Sequence, residues 1–179
     1  MADILQEIVA HKRVELEQQK ALVPPHQLYA RVERLMADGI AERSMSRALA
    51  SSPYGIIAEF KRKSPSKGWI HEDAQPMDVV PRYAAGGASA LSILTDSRYF
   101  GGTLDFIPQV RASVDIPILR KEFIVDEYQL FEARLAGADA VLLIAADLSL
   151  DECRSLTRTA PDLKLEVLLE MHSEQELDY

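Results

Sequence analysis

Lysine and glutamate cluster where apolar runs end. One cluster is Ile57-Ala58-Glu59-Phe60-Lys61-Arg62-Lys63-Ser64-Pro65-Ser66, a second is Leu119-Arg120-Lys121-Glu122-Phe123, and Glu170 closes the run Leu165-Glu166-Val167-Leu168-Leu169-Glu170. Charged side chains at the ends of buried strands are expensive unless they are paired or used. A lysine in such a place donates a proton if burial or a second cation lowers its pKa, and a nearby glutamate accepts protons or holds the lysine. Two lysines also suit a substrate that carries carboxylate and phosphate. Each residue alone is explained as well by a structural ion pair or a solvated strand end. Taken together, Glu59, Lys61, Lys121 and Glu170 fall at matching strand ends, which favours function.

The elements that must position these groups follow from periodicity and turn residues. Ile4, Leu5, Ile8 and Val9 recur at helical spacing, with polar residues running on to Lys20. Pro24-Pro25 breaks that helix and starts a second through about Met36, with a short turn of helix around Ser46 to Ala50. From Tyr54 strands alternate with helices. The strands are expected at Gly55–Lys61, Ser89–Leu94, Ile116–Arg120, Asp139–Ile144 and Lys164–Leu169. Between them, Pro76 opens a helix that stops near Gly86-Gly87, and another lies near Leu104–Ala112. Asp126 with Gln129, Ser149 with Glu152 and Ser173 with Glu176 cap three more helices.

Alternating strands and helices imply an α/β fold with parallel strands and helical crossovers. Pattern alone leaves a doubly wound open sheet and a (βα)8 barrel open. The absence of Gly-x-Gly-x-x-Gly after the first strand argues against a dinucleotide fold. Strand side chains alternate, so Ile57, Glu59 and Lys61 share one face while Ile56, Ala58 and Phe60 are expected under helices. Leu119 pairs with Lys121 in the same way, and Leu168 with Glu170. In a barrel the inward residues of alternate strands form common layers, and the three strands concerned are the first, third and fifth. Glu59, Lys61, Lys121 and Glu170 are therefore expected to converge at one mouth.

Composition bounds the function classes. The 179 residues suffice for one sizeable core, and a hydrophobic content of 47% argues a folded chain. A net charge of -8 weighs against general nucleic-acid binding. A single cysteine, Cys153, leaves neither an intramolecular disulfide nor a thiolate metal site. No apolar run approaches the roughly 18 residues of a membrane span, and the polar, charged N-terminus is unlike a secretory signal. A cytoplasmic protein without a membrane partner is expected. His11, His26, His71 and His172 show no metal-ligand spacing and read as surface residues. Trp69 reads as a loop anchor, Gly101-Gly102 as a plain turn, Cys153 as an ordinary helix position, and at least one of Arg62 and Lys63 as solvated.

The motif Ala58-Glu59-Phe60-Lys61-Arg62-Lys63-Ser64-Pro65-Ser66 resembles the first-strand signature of indole-3-glycerol phosphate synthases. The resemblance continues through Ala90–Asp96, Tyr99–Gly102, Pro117–Asp126, Gly137–Ile144 and Leu168–Glu170, and takes in the N-terminal helices. It implies a (βα)8 TIM barrel in one domain, with residues 1–50 as a helical extension. It also implies ring closure, decarboxylation and dehydration of 1-(2-carboxyphenylamino)-1-deoxyribulose 5-phosphate to indole-3-glycerol phosphate, in tryptophan biosynthesis, with neither metal nor organic cofactor. By the same resemblance Lys121 is the general acid at the substrate ketone and Glu170 assists the later proton transfers. Glu59 and Lys61 form the first-strand pair, with Lys61 near the substrate carboxylate. Ser64 lies on the phosphate side, and Phe100, Phe123 and Leu142 wall the pocket for the anthranilate ring.

A (βα)8 barrel takes about 250 residues, and five strands are expected here. The family's asparagine after strand six and its glutamate and serine after strand seven have no counterpart. Two open parallel edges are expected to drive self-association or to leave the chain poorly ordered toward Tyr179. Two alternatives follow: a catalytically inactive half-barrel serving as an association or folding module, and another phosphosugar barrel enzyme such as an isomerase of the same pathway.

Overall fold

A computed structural model describes residues 2–178. The chain begins with three helices, α1 (Ala2–Leu22), α2 (Pro25–Ala37) and α3 (Met45–Ser51). Strand β1 (Ile57–Phe60) follows, then a small hairpin of β2 (Lys63–Ser64) and β3 (Gly68–Trp69). After that come α4 (Pro76–Ala85), β4 (Ala90–Leu94), α5 (Phe106–Arg111), β5 (Ile118–Lys121), α6 (Glu127–Ala136), β6 (Ala140–Ile144), α7 (Leu150–Asp162) and β7 (Glu166–Glu170).

The five long strands form one parallel sheet in the order β1-β4-β5-β6-β7, with the hairpin separate. Strand order thus follows chain order. A doubly wound sheet reverses its order at a switch point, and this one does not, so the arrangement is of the barrel type.

Each face of the sheet has its own apolar layer. Phe60, Leu91, Ile93, Ile118, Val141 and Leu143 pack outward against the crossover helices. Ala90, Leu119, Ala140, Leu142 and Ile144 face inward, together with Tyr99 and Phe123. Ile8 of α1 and Met45 of α3 join this inner layer. The N-terminal helices thus supply inner-layer packing as well as outer packing, where α2 meets α6 through the stacked rings of Tyr29 and Phe131 at 3.8 Å.

Helix ends follow the expected chemistry. Both capping boxes, Asp126/Gln129 and Ser149/Glu152, are formed reciprocally, and Gly137 ends α6 in the left-handed conformation. Three expectations need correction. Ser173 and Glu176 do hydrogen-bond, but they close a short 3₁₀ turn, Glu174–Asp178, rather than an α-helix. Lys164 lies in the turn after α7, at φ 55°, so the fifth strand begins two residues later than expected and includes Glu170. Ile56 is 50% exposed rather than covered, because β1 is an edge strand. The expectation for Tyr179 lies outside the described residues.

Candidate active site

Strand alternation carries Glu59, Lys121 and Glu170 to one end of the inner face, where Lys61 extends the β1 row by one residue pair. Lys61 Nζ lies 3.2 Å from Glu59 Oε1. Lys121 Nζ lies 3.9 Å from Glu59 Oε2 and 3.4 Å from Glu170 Oε2. His172 Nε2 approaches the other Glu170 oxygen at 3.2 Å. Ser92 Oγ, on β4 directly opposite Glu59, donates to it at 3.4 Å. The result is a row of alternating sign, Lys61–Glu59–Lys121–Glu170, with the His172 ring at its end, in which Lys121 is the cation with a carboxylate on each side. All four predicted charged residues are about one-third exposed at their side chains, open enough to meet a ligand.

This row borders a cavity of about 550 Å³ with predominantly apolar walls. Phe100, Phe123, Leu142 and Ile144 supply one side, and Ile4 and Leu5 of α1 another. The Phe100 and Phe123 rings are 5.9 Å apart and tilted by 37°. The size suits a ligand of a few rings. Charged groups concentrated along one wall, with apolar surface elsewhere, bind an amphipathic anion: cations attract it while the apolar wall receives its flat part.

Seven of the eight residues singled out from the sequence line this cavity. The eighth, Ser64, does not. It is buried in the β2–β3 hairpin, where its Oγ accepts from Lys67 N at 3.2 Å. The hairpin itself was not legible. Its strands are two residues long, and it is held by Arg62 and Lys63 packing over the Trp69 ring, each 5.4 Å from the centroid. Arg62 also donates to the Glu72 carbonyl, and Lys63 to that of Arg98 at 2.9 Å, so both cations are engaged. Gly101 is more than a plain turn: at φ 65° it presses on Trp69, and a Cβ there would lie 2.5 Å from the ring.

Glu122 and His172 also line the cavity, and neither was assigned a role from sequence. Glu122 is buried and sits in a network with Lys12, Asp96, Thr95 and Arg120. Burial alone would lower the Lys12 pKa, but the Glu122 and Asp96 carboxylates outweigh it and raise the pKa, so the ammonium stays charged. Lys12 had a legible signal. Leu5, Ile8, Lys12 and Leu16 share one side of α1, so a lysine stands on an apolar stripe. Beyond Glu170, burial pushes the Asp147 carboxyl up to about 6, with the Glu170 charge adding and His172 opposing.

Among the described residues no group of three or more His, Cys, Asp or Glu is placed to hold a metal ion, and no helix is long and apolar enough to cross a membrane.

Residues 5–179 match the family of indole-3-glycerol phosphate synthase. The chain belongs to the indole-3-glycerol phosphate synthase family. It is 56% identical over 179 residues to the indole-3-glycerol phosphate synthase of Bacteroides thetaiotaomicron, covering 100% of this chain and 67% of that protein. It is 44% identical over 180 residues to that of Chromobacterium violaceum, covering 99% and 67%. Against that of Prochlorococcus marinus the identity is 42% over 176 residues, covering 98% and 59%. The chain thus spans about two thirds or less of the length of these relatives. Its sequential parallel sheet is the TIM-barrel type of fold that the family has, represented here by five strands.

Proposed function

We propose that this chain carries the proton-transfer and ring-binding part of an indole-3-glycerol phosphate synthase, a carbon–carbon lyase of tryptophan biosynthesis. Its substrate would be the phosphosugar 1-(2-carboxyphenylamino)-1-deoxyribulose 5-phosphate. The observation that carries this reading is the Lys121 ammonium, held between the Glu59 and Glu170 carboxylates on the edge of an apolar cavity.

In this reading the aryl ring lies against Phe100, Phe123 and Leu142. The ring carbon attacks the ketone, negative charge develops on the ketone oxygen, and Lys121 protonates it. A positioned donor at a developing oxyanion lowers the barrier directly. Lys61 faces the ring carboxylate, whose charge the apolar wall disfavours and which leaves as carbon dioxide. Glu170 takes part in the proton transfers that end in loss of water, and Glu59 holds both lysines in place. Ser64 would serve the phosphate from the hairpin after β1. Residues 1–50 belong to the same domain, as a helical extension that covers the cavity with Ile4 and Leu5, and the protein works in the cytoplasm.

The test is formation of the indole chromophore from the carboxyphenylamino substrate by the purified chain, with Lys121→Ala as control. Turnover that disappears in the variant is expected. Equal turnover in both would overturn the catalytic assignment.

A second reading is favoured by the sheet edges. Neither β1 nor β7 has a partner strand on its outer side among the described residues, and Ile57 and Leu168 are 37% and 39% exposed there. In this reading residues 1–179 form an association module that self-associates or takes up a complementary set of βα units. Mixing with a segment that supplies three further βα units should then restore ligand binding that the chain alone lacks.

A further inference from the structure

The two aromatic walls of the cavity are fixed by backbone hydrogen bonds to two buried carboxylates. Asp96 Oδ1 accepts from Tyr99 N at 2.7 Å and Phe100 N at 3.3 Å. Glu122 Oε1 accepts from Phe123 N at 3.0 Å. Asp96 follows β4 and Glu122 follows β5, and both are nearly inaccessible, at 1% and 4% exposure. One cation lies between them. Lys12 Nζ, itself buried, is 3.0 Å from Asp96 Oδ2 and 3.2 Å from Glu122 Oε1, with Glu15 Oε2 at 2.8 Å. Thr95 Oγ1 donates to the other Glu122 oxygen at 2.8 Å and accepts from Arg120 Nε at 3.3 Å.

We infer that Lys12 is a positioning residue for the ring pocket: its ammonium holds the Asp96 and Glu122 carboxylates, and through them sets the backbone at Phe100 and Phe123. The inference rests on the reading of the cavity as a substrate site. Lys12 does not line the ring cavity and moves no proton of the reaction. Two buried carboxylates this close to one another repel, and each keeps its place because the ammonium lies against both. Without it their repulsion is unopposed and they turn toward water, and the Tyr99–Phe100 and Phe123 amides lose their acceptors together. The other cations nearby cannot substitute. Arg120 is committed to Glu132 at 3.2 Å and the Gln129 carbonyl at 2.8 Å, and is 3.9 Å from Glu122. Arg98 lies on the outside, against the Tyr99 ring and His11.

The experiment is amide hydrogen exchange by mass spectrometry on the full chain, comparing wild type, Lys12→Met and Asp96→Asn. In Lys12→Met, exchange should accelerate about tenfold or more in the peptides containing Phe100 and Phe123, while β6 and α7 keep wild-type protection. In Asp96→Asn only the Phe100 peptide should respond. Should Lys12→Met not fold, Lys12→Gln, which keeps two donors without the charge, takes its place with the same sign expected. Unchanged exchange at both walls overturns the inference. So does acceleration spread evenly over all strands, or unfolding of both Lys12 variants, since Lys12 would then serve general stability. Turnover by the same proteins adds a second readout: KM should rise about tenfold in Lys12→Met with kcat altered less than about threefold. If wild type is silent, the catalytic reading fails while the exchange result still decides the role of Lys12.

Discussion

At Lys121 the distinction between charge and proton donation becomes testable. The ammonium has a carboxylate on each side, so a substitution that keeps the positive charge keeps the ion pairs. Arginine does that, yet guanidinium holds its protons too firmly to act as an acid. Lys121→Arg should therefore retain stability within about 0.5 kcal/mol while lowering kcat by about 10²–10⁴-fold, checked by denaturant titration alongside turnover. Asp147 supplies a second prediction. Burial raises its pKa from 3.8 to about 6, Glu170 adds to the shift and His172 opposes it. The folded state thus binds the proton more tightly than the unfolded state. Stability is lost as pH rises from about 4 to about 6, and the penalty persists above that. Asp147→Asn should stabilise the chain at pH 8 by an amount on the order of 1 kcal/mol, after discounting for partial solvent screening, and by nearly nothing at pH 3.5. Urea midpoints at the two pH values measure it. The sequence displayed the lysines and glutamates of the row because each ends an apolar run. It did not display the engagement of Asp96, Glu122 and Lys12, since that depends on how α1 lies across two strand ends. His172 was passed over because it sits beyond β7 with no second ligand at metal spacing. Its contact is with Glu170, two residues away.

Elements decide whether those residues meet, and the end of the sheet opposite the cavity is where α3 is locked to it. Ser44 caps α3 by accepting from Arg47 N, and its hydroxyl also donates to Glu166 Oε1 at 2.6 Å. Ser46 gives Glu166 its backbone N–H at 2.8 Å and its hydroxyl at 3.0 Å. Burial pushes the Glu166 pKa up, but these donors from Ser44 and Ser46 prevail and lower it on balance. Because the folded pKa is depressed, the stabilisation is present above the unfolded value near 4.5 and is lost as pH falls through the folded one. Glu166→Gln should destabilise the chain at pH 7 by about 1–3 kcal/mol, for one charged acceptor replaced by an amide. The difference from wild type should shrink below pH 4, and thermal melts at both pH values decide it. Capping boxes, glycine stops and alternation made five strands and their crossover helices readable before any coordinates. Strand parity then brought three separate stretches of chain to one cavity. What escaped was local. The β2–β3 hairpin is built on side chains stacking over Trp69 rather than on strand propensity, and Lys164 takes a left-handed turn that no residue-type rule assigns to lysine.

For the molecule as a whole, the open edges of the sheet govern association. The sheet is parallel and sequential, so closure into a barrel requires strands beyond β7 that also pair with β1. Among the described residues the outer flanks of β1 and β7 face no partner strand, and the inner residue Leu168 is partly exposed beside Glu170. Exposed strand edges bearing apolar side chains pair with other chains unless charge opposes it. The net charge of -8 supplies general repulsion, but the edge-strand acids Glu59, Glu170 and Glu166 are engaged by Lys61, Lys121, Ser44 and Ser46, beside the apolar Ile57 and Leu168. The 179-residue polypeptide should therefore elute above its monomer mass, with light scattering showing a rise with protein concentration and with salt as repulsion is screened. Leu168→Lys places a cation on the inner face of the edge strand and should move the equilibrium toward monomer while leaving the capping and core interactions intact. A monomer at every concentration and salt level would mean that the edges are protected by something other than pairing, and the association reading would fall while the Lys121 site stands unaffected.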